Sequence, residues 1–231
     1  MNNNSEQDNK LSRIDIKYIL GQFLNIFSID KGFLYTIKSL LLQPGTSIRN
    51  FIYFDRKKMM KPLIFLTLCS AIFLLSAHWT GISYSIFELK SFTISGKKFE
   101  TGKLSNWLNE NVAYLNIIVA IYSSLWARLF FKNSGFNIYE IATAMFYIFG
   151  QTILILTFFI LIYIPLNSYI NSSLLIIPIL IYTTFAIQKF FTIEKKLKFL
   201  NILKSVIVYF FGIFSHIIVI AGMAIATWIL K

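Results

Sequence analysis

Five long apolar stretches alternate along this chain with segments that carry nearly all of its charge. Each has roughly the 17 to 25 residues that an α-helix needs to cross the hydrocarbon core of a membrane. Their apolar runs lack the alternation of a membrane β-strand, and inside lipid only helices or closed barrels satisfy every backbone polar group. The pattern therefore predicts an all-α, polytopic membrane bundle. The five predicted transmembrane helices lie at about residues 62–80, 111–127, 141–164, 173–191 and 205–230.

The part of the chain before these spans is polar at first and then amphipathic. Residues 1–10 contain few apolar side chains and are predicted to be disordered. Residues 11–61 form a basic region with three predicted amphipathic helices. The second is predicted at 31–42, ended by Pro44 and Gly45, and the third at about 46–60. None is long enough to span, so they either lie at the inner headgroup boundary or cap the bundle from below.

Residues 62–231 then form the predicted transmembrane domain, whose longest loop is 82–110. That loop has alternating segments on either side of Ser95 and Gly96, which predict a short β-hairpin or an irregular loop. The chain shows no internal repeat, and an odd number of spans does not fit a simple doubled transporter.

The composition agrees with a membrane protein, and the position of the charges gives it a direction. Hydrophobic residues make up 56% of the 231 residues, and the net charge is +12. Ten Lys and Arg residues precede the first span, two lie between spans two and three, and five between spans four and five, so 17 of 22 share one side. The positive-inside rule then predicts a cytoplasmic N-terminus and an outer C-terminus. These charges indicate anionic inner-leaflet lipids, rather than nucleic acid, as partners.

Candidate chemistry within the spans is sparse. Three polar side chains, Gln151, Gln188 and His216, fall inside predicted spans, where polar groups are costly. They either line a polar pocket or pathway or form hydrogen bonds between helices. No catalytic motif is present, and the single cysteine, Cys69, excludes an intramolecular disulfide and a cysteine zinc site. We therefore expect no enzyme activity, no catalytic or metal-binding residues and no cofactor.

The region just before the first span carries a signature. It consists of Asp30 to Ile37 around Gly32, a Leu-rich segment ending in Pro44-Gly45, the pair Ile48-Arg49, the basic pair Arg56-Lys57, and Pro62-Leu63. This signature resembles that of a bacterial membrane family known as domain of unknown function 3667. Many members carry an N-terminal zinc ribbon of paired cysteines, which this chain lacks. The resemblance implies a multi-pass protein of a bacterial cytoplasmic membrane. The basic residues predicted to contact the inner leaflet are Arg49, Arg56, Lys57, Lys58 and Lys61.

A second resemblance is architectural. The five-span layout, the cytoplasmic N-terminus and the motif Gly135-Phe136-Asn137-x-x-Glu140 before the third span are similar to the Yip family of membrane proteins. This likeness implies organising membranes or recruiting partners. We therefore expect a non-enzymatic scaffold or partner-recruiting protein, with protein partners unknown and self-association open. The alternative is a small transporter or channel with a polar pathway through the bundle.

The predicted direction of the spans can be tested with reporter fusions. A periplasm-active reporter fused after Lys231 should be active, because the charge bias places the C-terminus outside. The control is a cytoplasm-active reporter at the same position, which should be silent. The opposite pattern of activity would exclude the predicted topology.

Overall fold

The computed structural model describes residues 32–80, 92–94, 97–99, 106–107, 110–166, 176–192 and 199–229. These residues contain seven α-helices, a short 3₁₀-helix and one pair of short strands. The helices are α1 (Phe33–Leu42), α2 (Pro44–Tyr53), α3 (Pro62–Thr80), α4 (Val112–Phe130), α5 (Ile138–Leu166), α6 (Ile176–Phe191) and α7 (Phe199–Ile229). The strands β1 (Phe92–Ile94) and β2 (Lys97–Phe99) pair antiparallel, so the loop contains the hairpin that its alternating pattern indicates. The predicted disordered tail and the first predicted amphipathic helix lie outside the described residues.

Helix α5 lies at the centre of the bundle. It packs against α3, α4 and α6, while α7 packs against α4 and α6. The short helices α1 and α2 form a hairpin that contacts α5 and, through α2, α6. The interior is mostly apolar, and Ile141, Tyr147 and Ile148 of α5 are fully buried in it. The described fold is therefore all-α apart from the short strand pair, as the sequence predicts.

Three of these helices are long and apolar enough to cross a membrane. The qualifying segments are Ala113–Phe130, Ile138–Ile162 and Phe199–Gly222. The segments Pro62–Ser76 and Ile177–Phe191 are apolar but shorter. These helices fit a membrane protein, and the count of five spans stays a prediction.

Several boundaries differ from the sequence prediction. Helix α1 ends at Leu42, as predicted, and Pro44 is the first residue of α2, two residues before the predicted start. Proline is favourable there because it lacks the N–H that would be unpaired at a helix start. Helix α2 ends at Tyr53 rather than near residue 60. At this end, the amides of Phe54 and Asp55 both donate to the Asn50 carbonyl at 2.9 Å. Helix α7 begins at Phe199, ahead of the predicted 205, and its apolar segment begins at the same residue.

The start of α5 is fixed by a capping box. The Asn137 side chain accepts a hydrogen bond from the Glu140 amide at 2.8 Å, and the Glu140 carboxylate accepts one from the Asn137 amide at 2.7 Å. Such a reciprocal pair satisfies amides that have no partner in the first turn. Gly135 precedes it with a φ of 77°, a left-handed conformation that glycine adopts without steric cost. The motif 135–140 is therefore a helix start.

A cluster of stacked rings joins the helix ends beside this cap. Phe131 stacks on Phe191 at 4.1 Å, and Phe136 stacks on Phe190 at 4.5 Å. Tyr53, at the end of α2, stacks on Phe136 at 6.2 Å. Aromatic pairs of this kind contribute about 0.5–1.5 kcal/mol beyond their buried area. We call this end of the bundle the basic end, because Lys57, Lys58, Lys132 and Lys204 lie in or beside the segments that meet here.

The segment between α2 and α3 is held by its backbone at Met60. The Met60 amide donates to the Thr36 hydroxyl at 2.8 Å, and the Tyr147 hydroxyl donates to the Met60 carbonyl at 2.5 Å. All three residues are buried. The Tyr147 ring also lies between Phe51 and Phe65, at 5.2 and 5.9 Å between ring centroids. One tyrosine of α5 therefore fixes α2, the loop and the start of α3 relative to one another.

Removing this hydroxyl should destabilise the fold. Tyr147→Phe keeps the ring but leaves the buried Met60 carbonyl without its donor, which costs about 1–3 kcal/mol. Titration of the detergent-purified protein with SDS unfolds it and measures the change in the free energy of unfolding. The control Tyr114→Phe alters an exposed ring on α4 and should change stability by less than about 0.5 kcal/mol. Equal stability of both variants would contradict the role assigned to Tyr147.

Candidate functional site

Helix α2 makes an unusually close approach to the end of α6 at Gly45. A Cβ atom at this position would overlap the Lys189 carbonyl and lie 2.9 Å from the Phe190 nitrogen. These obstructing atoms belong to the backbone and cannot rotate away. Glycine at position 45 therefore sets the distance between the two helices.

Arg49, one turn after Gly45, uses this closeness. Its Nη1 donates to the Lys189 carbonyl at 2.6 Å and to the Phe190 carbonyl at 2.8 Å. The last carbonyls of a helix have no partner within the helix and carry its negative dipole end, so a cation is stabilising there. Partial burial lowers the pKa of the Arg49 guanidinium, which nevertheless stays protonated as arginines in proteins do. Arg49 therefore caps α6 from a neighbouring helix.

The remaining signature residues lie at two similar junctions. Gly32 lies against the segment before α3, where a Cβ atom would be 2.6 Å from the Lys58 carbonyl. The Gly32 carbonyl accepts both the amide and the hydroxyl of Thr36 at 2.8 Å, which orients the hydroxyl that binds the Met60 amide. Pro44 and Pro62 are the first residues of α2 and α3. The five signature residues thus lie where the hairpin joins the bundle.

The other four predicted basic residues follow α2. Lys57 and Lys58 are exposed, while Arg56 and Lys61 are half-buried. Arg56 donates to the Ile52 carbonyl at 2.9 Å, near the end of α2. A role of these four residues and of Arg49 at the inner leaflet stays a prediction, although Arg49 has an internal role in addition.

Asp55 organises the exposed lysines of this segment. Its carboxylate accepts the Lys57 amide at 2.8 Å and lies 3.4 Å from the Lys58 ammonium. The Lys57 amide, and then the Lys58 side chain, lower the pKa of Asp55. An exposed ion pair of this kind contributes little to stability, so its effect is to orient the loop.

The three intramembrane polar residues lie on three different helices. Gln151 on α5, Gln188 on α6 and His216 on α7 are each buried. Among the described residues, the Oε1 atom of Gln151 and the Nε2 atom of Gln188 have no hydrogen-bond partner. No hydrogen bond joins Gln151 to Gln188 within the described part of the chain. A polar pathway and hydrogen bonds between helices both stay predictions for the three residues.

Sequence reasoning missed the hydroxyl groups that hold the hairpin. Thr36 and Tyr147 bind the Met60 backbone, and the Tyr182 hydroxyl donates to the Leu40 carbonyl at 3.2 Å. The available signal was a hydroxyl-bearing residue within an otherwise apolar helix, since such groups need a partner when buried. Charged and amide residues drew attention first because they cost more in lipid.

The close approach at Gly45 predicts a large effect of one methyl group. Gly45→Ala should destabilise the protein by about 1–3 kcal/mol, the usual cost of overpacking, because the α6 backbone cannot yield. The control is Gly222→Ala on α7, where a Cβ atom meets nothing within 4 Å. That change should be neutral or stabilising by up to about 1 kcal/mol, since alanine is the better helix former. Apparent melting temperatures in detergent measure both, and equal values would contradict the assigned contact.

Comparison with known proteins gives a match to a family model. No curated protein and no solved structure matches the chain. The likeness to the Yip family stays a prediction. Residues 30–74 match the family model described as "Protein of unknown function (DUF3667)". This segment contains α1, α2, the Met60 loop and the first part of α3, and with them all five signature residues. The match predicted from the signature is therefore confirmed over residues 30–74, and the rest of the chain lies outside it.

Proposed function

We propose that this chain is a non-enzymatic multi-pass membrane protein whose basic end binds anionic lipid headgroups and presents a surface to protein partners. Helices α3 to α7 are its five spans, and the basic end faces the cytoplasm. The single observation that supports this role is the loop after α2. It carries exposed lysines on a backbone that is fixed to the bundle immediately afterwards, at Met60.

The fixed position of this loop favours specific binding to a partner over nonspecific attraction between charges. Lys57 and Lys58 are exposed, Asp55 binds the Lys57 amide, and the Met60 backbone is held on both sides. Each basic residue near an anionic membrane surface contributes about 1 kcal/mol to attraction. A preorganised loop loses less conformational entropy when a partner binds, so it makes a better docking element than a mobile tail.

A second candidate function is a small transporter or channel. It is favoured by the buried Gln151 Oε1 and Gln188 Nε2 atoms, which have no hydrogen-bond partner among the described residues. Buried polar atoms nearly always have a partner, so these atoms suit a passing solute or water. His216, buried on α7, would extend the same pathway.

Crosslinking in native membranes tests the leading proposal. A photo-crosslinking amino acid at Lys57 should capture specific proteins, because this position is exposed at the basic end. The same amino acid at Tyr114 is the control, since that residue is exposed near the start of α4. Proteins captured at 57 but not at 114 support the proposal. Capture of lipid alone at both positions would exclude the partner-binding role.

Flux measurements separate the second candidate from the first. Proteoliposomes of a transporter should show solute-dependent flux that Gln188→Leu abolishes while the melting temperature stays unchanged. If the protein is a scaffold, neither the wild type nor Gln188→Leu should show flux. Flux combined with no protein capture at position 57 would favour the transporter.

A further inference from the structure

Helices α4 and α7 lie side by side and run in opposite directions. At the basic end, the Lys204 ammonium lies over the Phe131 ring, 5.8 Å from its centroid. Phe131 directly follows the end of α4, and Lys204 is in the second turn of α7. Farther from the basic end, a Cβ atom on Gly212 of α7 would overlap the Ser123 hydroxyl of α4. The end of α4 therefore meets the start of α7 at the basic end.

Three aromatic rings, those of Trp126, Phe130 and Phe211, fill the line of contact between these helices, which we call the α4–α7 seam. The centroid of the Phe211 ring lies 4.8 Å from that of Trp126 and 6.1 Å from that of Phe130. The indole Nε1 of Trp126 donates to the Ser215 hydroxyl at 2.8 Å. All three rings keep part of their surface exposed, and the exposed fraction of Phe211 is 40%. The seam is therefore a partly open aromatic surface.

The open side of the seam is apolar over the length of a lipid chain. Lys204, Phe211 and Ile218 are spaced seven residues apart, so they lie on one face of α7. Leu129 on α4 and Ile218 on α7 are 64% and 54% exposed. Phe211 lies about 10 Å of helix rise from Lys204. One leaflet contributes about 15 Å of the hydrocarbon core, so an acyl chain that starts at Lys204 reaches Phe211 and Trp126.

Two cations at the basic end of the seam are not neutralised by the described part of the chain. Lys132 directly follows Phe131 and is exposed, and Lys204 is partly exposed. Among the described residues, neither lysine forms an ion pair with a carboxylate. Arg128, exposed one turn before Lys132, donates to the Phe136 carbonyl at 2.9 Å. Two such lysines at the end of an apolar surface match a molecule that is anionic at one end and apolar along the rest.

We propose that the α4–α7 seam binds one anionic phospholipid of the leaflet at the basic end. Lys132 and Lys204 bind its phosphate, and an acyl chain lies against Trp126 and Phe211. Basic sites between membrane helices bind anionic lipid headgroups in this way. A zwitterionic lipid carries its own ammonium, which the two lysines repel, so the site selects for net negative charge. The inference rests on the proposed function, because that function places the basic end at a lipid surface, and it adds a site separate from the loop after α2.

Lipid binding to the full chain in a neutral detergent tests this site. Native mass spectrometry counts bound lipids during titration with phosphatidylglycerol or phosphatidylcholine of the same acyl chains. One phosphatidylglycerol should bind more tightly than phosphatidylcholine. Lys132→Gln and Lys204→Gln should each weaken this binding about fivefold, the effect of one basic residue at an anionic headgroup, and Lys204→Arg should retain it. The matched control is Lys38→Gln, which removes an exposed charge on α1 and should leave the tight binding unchanged.

The variants also separate this site from the proposed function. A preference for phosphatidylglycerol that is lost only when Lys57 and Lys58 both become Gln would assign lipid binding to the loop after α2 and overturn the seam site. A loss in Lys38→Gln as large as in Lys204→Gln would show nonspecific attraction between charges and would also overturn it. A preference that no variant changes, or no preference at all, would remove both the seam site and the lipid binding of the proposed function.

Fluorescence quenching by brominated lipid tests the position of the acyl chain. Bromine quenches a tryptophan that it contacts, and the signal lost in Trp126→Phe is the share of Trp126. In mixed vesicles, this share should be quenched at a lower fraction of brominated phosphatidylglycerol than of brominated phosphatidylcholine, and Lys204→Gln should bring the two curves together. Equal quenching of the unaltered chain by both lipids, or quenching by neither, would exclude the seam as the lipid site. Melting temperatures in detergent show that each variant is folded, and the titration does not depend on Trp126→Phe.

Discussion

Backbone polar groups in an apolar environment must find partners inside the protein, and this constraint determines how the N-terminal hairpin joins the bundle. At two sites, side chains from other elements supply the partners that the backbone needs. The carbonyls at the end of α6 are capped by Arg49, and the Met60 peptide is held by Thr36 and Tyr147. Each partner must be brought within hydrogen-bond distance, so the helices have to approach closely. Gly45 and Gly32 permit that approach. Gly32, Gly45 and Arg49 of the family segment are therefore residues that the close contacts between these elements require.

This interpretation changes the meaning of the basic residues. From the sequence, Arg49 belongs with Arg56, Lys57 and Lys58 as a candidate for lipid headgroups. In the structure its Nη1 donates to two carbonyls at the end of α6. Of the basic residues predicted to contact the inner leaflet, Lys57 and Lys58 are the exposed ones, and both follow α2. One basic region thus divides into a cation that holds the fold and cations that are available to other molecules.

The sequence predicted the helices well and the contacts between them poorly. Apolar length located α3 to within a residue because lipid-compatible helices are long and uninterrupted. It placed the start of α7 six residues late, because Asn201 and Lys204 interrupt the apolar residues of its first turns. The break before Pro44 was predicted correctly, and α2 begins two residues earlier than predicted because proline itself suits the first position of a helix. The Thr36, Tyr147 and Tyr182 contacts were not predictable, since their partners are backbone atoms 24 to 142 residues away that carry no side-chain signature.

The central helix connects these observations. Tyr147 lies on α5, about 14 Å of helix rise beyond its capped start at Ile138. It contacts Phe51 of α2, Phe65 of α3 and the Met60 carbonyl between these two helices. A shift of the hairpin would therefore have to move α3 with it or break a buried hydrogen bond, and leaving a buried group without its partner costs about 1–3 kcal/mol. The hairpin is consequently a rigid part of the bundle. Any lipid or protein that binds the loop after α2 meets a surface whose position is set by α5.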